Sequence, residues 1–174
     1  MTMEALISGL QNQPLRIPLM HYSKVSLFTM TGHTDMGRLK ISGSENKDND
    51  KDASPKGRNR DIIPFARYID IWWLAMCVGI QDGRRTAVKA DKWHQFARAG
   101  EVLPSNPWRI FQLQLLAVGI TKSTDILSKP GELISMANEY AATGLPILLD
   151  EMLGSQVPIW AMTKFLSKRI ASSS

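Results

Sequence analysis

The chain has 174 residues, 44% hydrophobic and 21% charged, with a net charge of +5 and a pI of about 9.5. That length can bury a core without covalent staples, and a single cysteine, Cys77, excludes an intrachain disulfide and suits a reducing cytosol. The basic balance favours polyanions without requiring them, because +5 over this length is modest.

Taken in chain order, MTMEALISGLQ lacks the basic flank and long apolar core of a secretory signal. Glu4 to Gln11 suits a short helix, and Pro14 and Pro18 then force extended backbone. Lys24 to Met30 is rich in strand formers, and Arg38 to Ser42 alternates apolar and polar residues. With the turn-forming segment Thr31 to Gly37 between them, they predict a β-hairpin. The tract GSENKDNDKDASPKGRNR at 43–60 offers almost nothing to bury and is expected to be a flexible charged loop within the domain.

Ile62 to Ile80 is the densest apolar stretch, interrupted by Arg67 and Asp70 only. Those two charges leave too short a run to span a bilayer, which needs about 20 residues, so the segment reads as a core helix. It is expected to start near Asp61, with Pro64 in its first turn, and to stop at Gly83. Lys92 to Ala99 reads as a short amphipathic helix ended by Gly100, with Trp93 and Phe96 at i, i+3 spacing. Ser105 is the expected cap of the next helix, with Pro107 in its opening turn and Trp108 to Thr121 as its body. Leu133 to Ala142 stopped by Gly144, Leu145 to Leu153, and Ile159 to Ile170 complete the helices. Val78-Gly-Ile80 and Val118-Gly-Ile120 repeat at the same offset as Pro64 and Pro104, an echo we read as chance. The expected architecture is mainly α: a single domain over 1–174, a compact bundle of about five to six helices at 61–171, a small N-terminal β-hairpin and the 43–60 loop.

The chemistry expected of this sequence is mostly an absence. His21, His33 and His94 share no metal-ligand spacing, and HExxH, GxxxxGK[ST] and GxGxxG motifs are missing. Cys77 is expected to be a buried, inert thiol. His33 and Asp35 fall in a turn, and the adjacent Asp150 and Glu151 point apart on a helix. No metal, cofactor or catalytic set is expected, and the reading is of a protein that is not an enzyme.

Cations are more informative. Arg84, Arg85, Lys89, Lys92 and Arg98 lie in one short stretch opposed by Asp91 alone. Together with Lys56, Arg58 and Arg60 they are the candidate nucleic-acid contacts, because arginine forks match phosphate oxygens. Trp72 and Trp73 point about 100° apart on a helix, and with Trp93 and Trp160 they are candidates for protein or self-association contacts.

The run YIDIWWLAMCVGIQDGRR at 68–85, with LISMANEYAATG at 133–144, resembles small accessory proteins of bacterial DNA phosphorothioation (Dnd-type) and related anti-phage systems. That resemblance implies a cytoplasmic accessory subunit of a prokaryotic defence complex and carries over no catalytic residue. The expected function is contact with nucleic acid, DNA first, through the basic surface. The alternative is a scaffold that binds protein subunits and no nucleic acid.

Overall fold

The computed structural model describes residues 3–30 and 62–172. In chain order these form helix α1 (Met3–Leu10), strand β1 (Pro14–Pro18), helix α2 (Tyr22–Leu27), helix α3 (Tyr68–Asp82), strand β2 (Trp93–Arg98), the short helix α4 (Ala99–Val102), helix α5 (Pro107–Thr121), helix α6 (Pro130–Leu153) and helix α7 (Pro158–Ser172). The mainly helical architecture with a small antiparallel strand pair agrees with the expectation. The 43–60 tract, the His33–Asp35 turn and the Arg38–Ser42 segment lie outside the described residues.

Several local expectations are corrected. The strand pair is not a local hairpin: β1 pairs with β2, from Pro14 opposite Arg98 to Pro18 opposite Trp93. Lys24 to Leu27 is helical, and among the described residues of this stretch Thr29 alone makes a bridge, to Phe65. Lys92 to Ala99 is mostly strand, because the two prolines of β1 present an extended edge that local spacing could not reveal.

The α3 helix starts later than expected, at Tyr68, where the Asp70 carboxylate accepts from the Arg67 backbone N–H at 3.1 Å. Pro64 lies upstream of it. Gly83 ends it in the left-handed region, φ 72°, as expected. Asn106, not Ser105, is the N-cap residue of α5; the Ser105 hydroxyl instead donates to the Val102 carbonyl.

The core forms where α3 crosses α6. Ile71, Trp72, Ala75 and Met76 are fully buried there, as are Leu133, Leu145 and Leu148 of α6. Gly79 and Gly144 make the crossing close. A Cβ added at Gly79 would strike the Tyr140 carbonyl oxygen, and one at Gly144 the Ala75 carbonyl oxygen. This corrects the reading of Gly144 as a helix stop. The 130–153 segment is one helix, with Pro146 inside it, because packing on α3 holds both sides of the proline in register.

Asn138 ties β1 to this crossing. Its Oδ1 accepts from the Arg16 N–H at 2.9 Å and the Trp72 Nε1–H at 3.2 Å, and its Nδ2 donates to the Pro14 carbonyl at 3.0 Å. A buried amide satisfied on both ends fixes where the strand lies.

Asp70 makes the second polar tie, accepting from Arg109 Nη2 of α5 at 2.6 Å. Burial pushes the Asp70 carboxyl up, but the Arg109 and Arg67 hydrogen bonds outweigh it and hold it below the usual range. A folded-state value below the unfolded one stabilises above the ordinary Asp range and is lost as pH falls through the folded value. Asp70→Asn should therefore lower stability at pH 7 by about 1 kcal/mol after allowing for solvent screening. The difference from wild type should start to close only below about pH 4 and should have shrunk clearly by about pH 2. Urea titrations at the two extremes of pH test this; an equal gap at both would refute it.

Candidate interaction surfaces

Four of the described candidate cations stand beside a carboxylate. Arg84 donates to Asp82 at 2.7 Å, and that hydrogen bond holds the Asp82 carboxyl below the usual range. Arg85 grips Glu139 of α6 with Nε at 2.9 Å and Nη2 at 2.6 Å. Lys92 lies 3.6 Å from Asp91, and Arg98 lies 3.8 Å from Glu101. Arg98 also stands at the far end of β2 from Trp93, roughly 17 Å away at the rise of an extended strand. Among the described residues, Lys89 is exposed with no carboxylate in ion-pair range. Arg84 and Arg85 keep 75% and 48% of their side-chain surface in spite of their partners, so they are paired but not buried. Lys56, Arg58 and Arg60 fall outside the described residues.

Arg85 also serves the fold. Together with the Thr86 N–H to the Glu139 carbonyl at 3.3 Å and the Thr86–Thr143 hydroxyl pair at 2.9 Å, it fastens the segment after α3 onto α6.

The four candidate tryptophans separate. Trp72 is wholly buried and donates to Asn138 and the Arg16 carbonyl, so it lies in the core and not at the surface. Trp73 is half-buried beneath the Arg109 guanidinium, 5.7 Å from its ring centre. Trp93 is half-buried, and its indole N–H donates to the Val88 carbonyl at 3.1 Å. Trp160 stands exposed on α7.

The larger apolar surface is one that sequence reasoning missed. Trp108 and Leu115 of α5 are each 73% exposed, and Phe111 between them 46%. At i, i+3 and i+7 they share one helix face. Trp108 and Phe111 rest against each other at 6.1 Å. The face continues past Gly119, where an added Cβ would meet nothing within 4 Å. Beside it a shallow hollow is lined by Trp73, Cys77, Gln112, Leu115 and Leu116. Cys77 is exposed there, which corrects its expected burial, although the surrounding protein still pushes the thiol up. The signal in the sequence was that α5 is apolar on most sides; α3 shares that property, and it could not say which of the two would be covered.

Among the described residues no three His, Cys, Asp or Glu side chains are arranged to hold a metal ion, and no helix is long and apolar enough to cross a membrane. Residues 55–173 match the model of a family described as DNA sulphur modification system-associated protein 4. No curated protein and no solved structure matches.

Proposed function

The chain belongs to the DNA sulphur modification system-associated protein 4 family, and from that premise we propose that it serves its system as a non-enzymatic docking subunit. The observation that carries this reading is the uncovered face of α5, Trp108, Phe111 and Leu115. Aromatic residues grouped on an exposed face are what interface centres are made of, and scattered surface apolar residues do not share a helix stripe. The partner in this reading is another protein of the same system. Its setting is the bacterial cytoplasm and its role anti-phage defence, as the resemblance of the 68–85 segment implies.

A second reading, contact with DNA through the basic surface, draws support from the net charge, from the exposed Lys89 and from the solvent-facing Arg84. It is weakened by the carboxylates beside Arg84, Arg85, Lys92 and Arg98, which cancel much of the field a phosphate would meet.

One experiment with two arms tests both. Co-expressed with the other proteins of its system, the tagged chain should co-purify with at least one of them. Trp108→Glu with Leu115→Glu should cut that recovery by roughly tenfold or more while leaving the melting curve in place. Full recovery of the partner by the double variant overturns the docking reading. In the other arm, DNA binding at low salt that falls with a slope of about −0.9 per phosphate, and that Arg84→Glu with Lys89→Glu abolishes, supports the second reading. A chain that shifts no DNA at low salt removes it.

A further inference from the structure

A cleft of about 280 Å³, lined by no residue of α5, opens between β1, the segment after α3 and one face of α6. Arg16 enters it because strand side chains alternate. Leu15 and Ile17 are buried in the core, so Arg16 leaves β1 on the other side, at a register irregularity between Leu15 and Arg16. Bulged positions of this kind re-aim a side chain. Among the described residues no carboxylate pairs with the Arg16 guanidinium. The one acid lining the cleft, Glu139, is already held through two nitrogens of Arg85, so its charge does not compete for Arg16.

The other polar groups sort by whether they are already committed. Asn138 spends its amide on Pro14, Arg16 and Trp72. Gln13 donates from Nε2 to the Gly9 carbonyl at 3.4 Å and keeps its second N–H and its amide oxygen, while Ser135 keeps its hydroxyl at the rim. Trp93 forms one wall, and its N–H is committed to Val88, which leaves its ring and not its polar edge to offer a ligand.

A planar fork with no anion partner, a flat aromatic wall and two amide or hydroxyl groups match a phosphate attached to a base. We propose that this cleft binds a nucleotide, its phosphate on Arg16 and its base against Trp93. The nucleotide is either free or the terminal or extruded unit of a strand; both offer the same chemistry. The cleft shares no residue with the exposed α5 face.

Calorimetric titration of the full chain with dAMP, with deoxyadenosine and with a short single-stranded oligodeoxynucleotide tests it. Binding of dAMP or the oligonucleotide, with deoxyadenosine at least roughly tenfold weaker, is expected. Preference for dAMP assigns a free nucleotide, and preference for the oligonucleotide a nucleotide within a strand. Arg16→Gln should weaken either by roughly tenfold or more, and Lys164→Gln, on α7 and outside the cleft, should not. No binding of either probe overturns the proposal. So does equal binding of dAMP and deoxyadenosine, a comparison on wild-type protein that holds even if Arg16→Gln does not fold. Unchanged affinity in a folded Arg16→Gln variant overturns it too.

Discussion

Gly79→Ala should destabilise the protein by about 3 kcal/mol or more, while Gly119→Ala, the same change in the second copy of the Val-Gly-Ile sequence, should stabilise it by roughly 0.5–1 kcal/mol. Both glycines sit inside helices, where alanine has the better intrinsic propensity by about 1 kcal/mol. At Gly119 that term acts alone, since the added methyl group projects into open space. At Gly79 it is overwhelmed. The methyl group would meet the Tyr140 carbonyl oxygen and carbon, which are backbone of α6 and cannot rotate aside. Relief comes only from moving α3 away from α6, and that loosens Trp72, Ala75 and Met76, all fully buried, against their neighbours. Gly144→Ala presents the reciprocal collision, with the Ala75 carbonyl. Denaturant midpoints of the three variants decide the matter. A Gly79→Ala protein as stable as wild type would mean that the helices do not cross where the structure has them.

Replacing Asn138 should cost about 2–4 kcal/mol, because it leaves several partners wanting. With Asn138→Leu, the Arg16 N–H and the Pro14 carbonyl lose the groups that satisfy them. The Trp72 indole N–H is less exposed to loss, since it also donates to the Arg16 carbonyl at 3.2 Å. Each orphaned buried group costs about 1–3 kcal/mol, and leucine restores none of the three hydrogen bonds. Since Asn138 fastens β1 to α6, the near-ultraviolet signal of Trp72 and hydrogen exchange at Arg16 should change along with the unfolding midpoint. Unaltered exchange at Arg16 would show that the strand is held by something else. The same variant should blunt any ligand affinity of the neighbouring cleft, whose arginine stands on that strand.

The two variants also mark where local reading of the chain stops. Helices α3, α5 and α7 were legible from proline, glycine and apolar runs, and α1 from its short amphiphilic sequence. The strand at 93–98 was not, because Trp93 and Phe96 fit helical spacing and the proline-bounded partner at 14–18 lies far off in sequence. From its residues the 130–153 helix reads as two, because glycine and proline usually punctuate, whereas here Gly144 provides close approach to α3. At the candidate surfaces the cations were legible as a cluster, but the carboxylate that holds Arg85 lies 54 positions away. Of the two helices apolar on most sides, one is covered by α6 and one keeps its aromatic face in solvent.

What the residues alone settled is a mainly helical, basic chain without a membrane-spanning helix among the elements described, since periodicity, helix punctuation and charge are properties of neighbours in sequence. Which tryptophan is buried, which arginine is neutralised and which apolar face stays bare were decided by folding. Each depends on what lies opposite across the α3–α6 crossing and the β1–β2 pair, and those contacts join segments whose sequences carry no record of one another.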